Sequence, residues 1–188
     1  MSQINCVNPF TGESTGQFSL ERLSEQNEKV AKLREAQKKW KQVPLQERIQ
    51  YVKEALQYFE NNRDEISRDI TEQMGRPLHY SGGEINGFFE RANYLCSIAE
   101  ETLSPEALPE KEGFYRSIEH APLGVIFVIS AWNFPLMISV NSIVPALIAG
   151  NTVLLKHSGL TPKIGKHFEN AFNKMGAYKD LLFNSILN

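Results

Sequence analysis

The sequence predicts an α/β chain in which a helical amino-terminal segment leads into half of a doubly wound, Rossmann-like parallel sheet. Three observations carry that expectation. Ala121 to Leu155 contains no charged residue. Within that run, apolar stretches of strand length and helix length alternate, punctuated by Gly124, Pro135, Pro145 and Gly150. The residues before it are rich in charge and repeat their apolar positions at helical spacing.

Residues 1–20 form an opening segment. Met1 to Thr11 has neither a basic start nor an apolar core, so no secretory signal is evident and the cytoplasm is the expected location. Residues 21–103 read as four helices. The first runs from Gln26 to Trp40, with Val30, Leu33 and Trp40 on one face; the second follows Val43 and Pro44 and turns Ile49, Val52, Leu56 and Phe59 inward. The third spans Asp64 to Met74 and is ended by Gly75 and Pro77. The fourth, from Gly83 to Leu103, buries Ile85, Phe88, Ala92, Leu95 and Ala99. Residues 104–121 are a connection, solvated from Ser104 to Gly113, with a short half-exposed strand over Tyr115 to Glu119.

Residues 122–188 carry a β-α-β-α-β pattern. Val125 to Ile129 is a continuous β-branched and aromatic run, expected to be buried on both faces of a parallel sheet. Leu136 to Ala149 is apolar nearly all round, a helix deep in the protein, with Pro135 in its first turn, Pro145 as a kink or irregularity and Gly150 as its stop. Thr152 to Leu155 is a second buried strand. Thr161 before Pro162 reads as the N-cap of a helix carrying Ile164, Phe168, Ala171, Phe172 and Met175 up to Gly176, and Leu181 to Leu187 is a third strand.

Composition narrows the function classes. A chain of 188 residues, 41% hydrophobic, has the makeup of an ordinary globular protein with one core. A net charge of −2 gives no support for nucleic-acid binding, and Lys38, Lys39 and Lys41 read as a solvated helix face. No uninterrupted apolar segment approaches the roughly 20 residues needed to span a bilayer, so no membrane partner is expected. Cys6 and Cys96 make neither a disulfide framework nor a metal spacing. His79, His120, His157 and His167 lie apart in sequence and read as surface histidines, so no metal is expected.

Residues 122–162, PLGVIFVISAWNFPLMISVNSIVPALIAGNTVLLKHSGLTP, resemble the cofactor-domain core of the NAD(P)-dependent aldehyde dehydrogenases. The similarity extends along the chain: Asn8, Pro9, Thr11 and Gly12 match the family's opening, Arg48 its second helix, and Met74 to Pro77 with Glu84 the next segment. The resemblance implies that residues 1–188 are the amino-terminal part of the cofactor-binding domain of a longer enzyme, an aldehyde dehydrogenase fold truncated after its third strand.

It also implies roles. Asn133, just past the first strand, corresponds to the family's oxyanion donor, which stabilises the charge formed when a thiolate attacks the aldehyde. The residues alone leave a second reading open, in which Asn133 caps the following helix. Ile129, Ser130 and Trp132 lie where the family runs its chain against the nicotinamide, although a Trp after a strand is also an ordinary core aromatic. Lys156 resembles the lysine that bonds the adenosine ribose, with Ser158 beside it; a lysine ending a strand also simply reaches solvent. Where many members have a ribose-binding Glu, Gly159 stands here, which implies relaxed or NADP-leaning use of NAD or NADP. His157 at its position is similar to some semialdehyde-oxidising members.

The resemblance thus implies the amino-terminal fragment of an enzyme that oxidises an aldehyde, on this reading a semialdehyde, to a carboxylic acid through a cysteine thioester. Its parent would be a homodimer or homotetramer. The nucleophilic cysteine and the glutamate base find no match here, so the chain alone is expected to be inactive. The competing reading is a non-catalytic half-fold module that binds a nucleotide or a protein.

Overall fold

The computed structural model describes residues 2–174 and 178–187. The opening segment, expected only as a match to a family, is a hairpin: β1 (Gln3–Val7) pairs antiparallel with β2 (Ser14–Ser19), Ile4 opposite Phe18. Its turn is made by Asn8, whose side-chain oxygen accepts from the N–H groups of Phe10 at 2.9 Å and Thr11 at 3.3 Å.

Four helices follow: α1 (Leu23–Trp40), α2 (Leu45–Asn61), α3 (Arg63–Met74) and α4 (Leu78–Leu103). Leu33, Trp40, Ile49, Val52, Leu56 and Phe59 are buried as their spacing predicts. Gly75 ends α3 in the left-handed conformation at φ 77°, and a Cβ there would lie 2.8 Å from Cγ of Pro9, so the opening turn rests on this glycine. The fourth helix begins five residues before its expected start at Gly83. Gly82 and Gly83 cost it roughly 1 kcal/mol each in propensity, which packing of α4 against α3 and the following core helix overrides. Leu95 is only partly buried, and Cys96 takes the inward place beside it.

The connection holds two short strands, β3 (Glu106–Ala107) and β4 (Ser117–Ile118), paired antiparallel. Then come β5 (Val125–Ile129), α5 (Pro135–Ile148), β6 (Thr152–Lys156), α6 (Pro162–Lys174) and β7 (Leu182–Asn184). The three strands form a parallel sheet in the order β5-β6-β7, with Val125 opposite Thr152 and Val153 opposite Leu182. Val128, Val153, Leu155 and Leu182 share one core with α2, α4, α5 and α6. On the other face α1 lies against all three strands, and Thr152 Oγ1 donates to the carbonyl of Leu33. Helices therefore cover both faces, the arrangement of a doubly wound fold.

Burial of β5 departs from expectation. Ile126 and Val128 face the core, but Phe127 is 52% and Ile129 68% exposed. β5 is an edge strand, paired on one side only, and Phe127 and Ile129 lie on the face opposite the one that Ile126 and Val128 turn to the core. The helix α5 runs through Pro145 and stops at Gly150, φ 91°. Met175 and Gly176, expected to end α6, lie outside the described residues.

Candidate active site

β5 and β6 deliver their carboxyl ends side by side. The N–H of Ser130 donates to the carbonyl of Lys156 at 3.0 Å, carrying the pairing one step past the strands. Beyond that bond the chain turns through Trp132, Asn133 and Phe134 into α5, and all three are exposed. Two exposed aromatics flanking an amide at a sheet's carboxyl edge mark a candidate ligand site rather than a core.

The capping role left open for Asn133 is not what the structure shows. Phe134 occupies the N-cap position of α5 and makes no side-chain cap. Instead the carboxylate of Glu84, reaching across from α4, accepts from the N–H groups of Leu136 at 2.9 Å and Met137 at 3.4 Å. Arg76, in the link between α3 and α4, pairs with Glu84 and donates from Nη2 to the carbonyl of Asn133 at 2.7 Å. Its guanidinium also lies 4.5 Å from the Phe134 ring centre. Burial pushes the Glu84 carboxyl up, against the Leu136 N–H and the Arg76 charge, which favour its ionised form. Among the described residues the Asn133 carboxamide has no hydrogen-bond partner.

A second set of bonds holds the turn from behind. The Oγ of Ser139 donates to the carbonyl of Pro135 at 2.7 Å, which leaves the hydroxyl of Ser130 to donate to Ser139 at 2.5 Å. His157, 4% exposed, also reaches the Pro135 carbonyl, with Nε2 at 3.2 Å. A carbonyl only accepts, so the network puts the proton on Nε2 and leaves Nδ1 to accept from the Thr161 hydroxyl at 3.0 Å. Burial pushes the His157 pKa down to about 4, which keeps the ring neutral. Thr161 therefore spends its hydroxyl on His157, and the N–H of Lys163 in the first turn of α6 is met by Gln73 Oε1 at 3.1 Å.

The expected cofactor contacts fall into two groups. Ile129 and Trp132 are exposed, and the Lys156 ammonium has no partner among the described residues. Ser130 is buried with both its N–H and its hydroxyl in use, and Ser158 accepts from the N–H of Leu160 at 3.2 Å. Gly159 faces the hairpin: a Cβ there would lie 3.3 Å from Cδ1 of Ile4. A groove of about 620 Å³ runs between α4 and α5, lined by Arg76, Tyr80, Gly83, Gly87, Phe134 and Met137.

The histidines correct the sequence reading. His157 and His167 are both 4% exposed, not surface residues. His167 Nε2 lies 2.9 Å from Asp69, and Glu65 is close enough to complete a three-residue ligand set. Sequence spacing hides this group because α3 and α6 bring its members together across 98 positions. Lys163 Nζ sits 2.7 Å from the same carboxylate, and Tyr58 bonds Nδ1 of His167 at 3.0 Å. Burial raises the Asp69 pKa, but the bonds from His167 and Lys163 outweigh it and hold the carboxyl low. The group is a satisfied ion-pair network whose lysine opposes a cation. Arg76 and Glu84 were visible in sequence only as members of a matching segment; nothing there links them to Asn133.

Comparison with known proteins identifies the family. The sequence profile of the Aldehyde dehydrogenase family matches residues 1–186. The chain is 34% identical over 179 residues to the succinate-semialdehyde dehydrogenase [NADP(+)] of Deinococcus radiodurans, covering 93% of this chain and 37% of that protein. It is 30% identical to malonate-semialdehyde dehydrogenase 2 of Shouchella clausii, over 93% of this chain and 36% of the relative. Among solved structures, Gox0499 superposes with a TM-score of 0.92 at 27% identity, covering 100% of this chain and 41% of that one. The succinic semialdehyde dehydrogenase from Streptococcus pyogenes, in complex with NADP+, superposes at 0.89 with 24% identity and shares the fold over 98% of this chain and 41% of its own. The chain thus spans about two fifths of the length of these relatives. With the profile matched over nearly every residue and the fold shared from end to end, the chain belongs to the aldehyde dehydrogenase family.

Proposed function

We propose that these residues are the amino-terminal part of an NAD(P)-dependent aldehyde dehydrogenase that oxidises an aldehyde to a carboxylic acid through a cysteine thioester. The observation that carries this is the Asn133 turn, whose main chain is bonded on both sides while its carboxamide is left free at the sheet's carboxyl edge. That amide is the oxyanion donor. Its hydrogen-bond donors are fixed before the substrate arrives, so they need no reorganisation as charge develops on the aldehyde oxygen.

The residues present fit a dinucleotide. The free Lys156 ammonium suits a ribose, the exposed edge at Ile129 and Trp132 offers a surface to the nicotinamide, and Ser130 reaches it only through its main chain. When bound, that cofactor supplies the hydride acceptor. Gly159 leaves no carboxylate to repel a 2′-phosphate, which supports NADP as well as NAD. Ser158 lies beside Lys156 in the same loop and belongs to the same contact. The likeness to two semialdehyde dehydrogenases supports a semialdehyde as substrate. The nucleophile and the base come from the part of the enzyme that has no counterpart here, and the parent assembles as a homodimer or homotetramer.

The test is the full-length enzyme carrying these residues. Asn133→Ala is expected to slow acylation, read as the pre-steady-state burst of reduced cofactor, by about 10²- to 10³-fold with cofactor affinity unchanged. An unchanged burst returns Asn133 to a structural role.

A further inference from the structure

Nothing in the Asn133 turn itself explains why its carboxamide stays free. Asn is among the best residues for satisfying the bare N–H groups of a helix start, and α5 begins only two residues later. Phe134, at the N-cap, has no oxygen to offer them. Left alone, the turn would relax by folding the amide back onto its own helix.

Glu84 removes that option. Its carboxylate, with 0% of the side chain exposed, already occupies the N–H groups of Leu136 and Met137. Arg76 works on the other side of the turn. One arm of its guanidinium pairs with Glu84, the other bonds the carbonyl of Asn133, and its plane lies over the Phe134 ring. A planar fork reaches both partners at once, which the single point charge of a lysine does not. Resting on the donor reading of Asn133, we infer that Arg76 and Glu84 are positioning residues that hold the Asn133 turn by its main chain and keep its carboxamide available to the oxyanion.

Two measurements test this separately. In the 188-residue chain labelled with ¹⁵N, Arg76→Lys and Glu84→Gln should shift or broaden the Asn133 side-chain and Leu136 amide signals and leave the buried Trp40 indole signal in place. Unmoved Asn133 signals in both variants overturn the inference. In the full-length enzyme, Arg76→Lys should slow acylation about tenfold to hundredfold with cofactor affinity unchanged, because a misplaced donor loses rate rather than binding. Combined with Asn133→Ala it should add nothing further, since it acts through that residue. A double variant that loses the product of the two single effects overturns the inference while leaving the donor reading intact. An Asn133→Ala enzyme with normal acylation instead overturns the donor reading, and the positioning role falls with it.

Discussion

His157 stands behind the Asn133 turn as a neutral imidazole whose pKa burial has pushed down to about 4. The unfolded chain takes up that proton near pH 6.5, whereas the folded chain refuses it until about 4. Protons therefore favour the unfolded state in this window, and stability is full above 6.5 and falls as pH drops toward 4, by at most about 3 kcal/mol. Urea midpoints measured from pH 8 to 4 should fall through that window, and His157→Gln should flatten the fall. Glu84, whose carboxyl burial raises, titrates with the opposite sign, so the difference between the two proteins isolates the imidazole. Asp69, held low, adds its own loss only at more acidic pH. The positions of Asn133 just past β5 and of Lys156 at the end of β6 were legible in the sequence. The contacts of Arg76, Glu84 and His157 were not, because Asn133 meets Arg76 across 57 positions, Leu136 meets Glu84 across 52 and Pro135 meets His157 across 22.

At the scale of elements, α6 seats on β7 only because Gly165 has no side chain. A Cβ at Gly165 would lie 2.3 Å from Oδ1 and 2.9 Å from Nδ2 of the buried Asn184, so either orientation of that amide collides with it. Gly165→Ala should destabilise the chain by about 1 to 3 kcal/mol through overpacking. Gly82→Ala is the contrasting case: it sits inside α4 with nothing within 4 Å, and should stabilise by about 0.5 to 1 kcal/mol. Equilibrium urea unfolding of the two variants checks both signs. The helices α1 to α3 and the strand β6 were readable because their apolar periods match what they bury, and β5 was readable as a strand though not in its burial. The hairpin of β1 and β2 was not, since its strands are short and largely polar; the one available signal was Asn8 to Gly12, a turn between two alternating stretches. The start of α4 was missed because the Gly82–Gly83 pair argues locally against a helix that tertiary packing then imposes.

Across the whole molecule, the described residues hold the proposed oxyanion donor, Asn133, and no thiol fit to attack an aldehyde. Cys6 donates to the carbonyl of Gly159 and Cys96 lies inside α4; burial pushes both thiols up, away from the reactive thiolate. The 188-residue chain should therefore show no aldehyde-dependent reduction of NAD or NADP in a spectrophotometric assay. Turnover abolished by replacing Cys6 or Cys96 would refute this. No helix among the described residues is long and apolar enough to cross a membrane, and the uncharged run folds as β5, α5 and most of β6.

The ends of the chain are also tied together. Glu21, just after the opening hairpin, bonds the Ser185 hydroxyl at 2.9 Å and the N–H of Ile186 at 3.3 Å, and Ile186 returns its carbonyl to the N–H of Glu21. These partners lie 164 and 165 positions from Glu21. On a ribosome adding about 5 to 20 residues per second, Glu21 waits roughly ten to thirty seconds for the residues it bonds. For that interval only nearer partners hold the opening turn, among them Gly75 packed against Pro9, and Ser185 and Ile186 fix Glu21 in place once they are made.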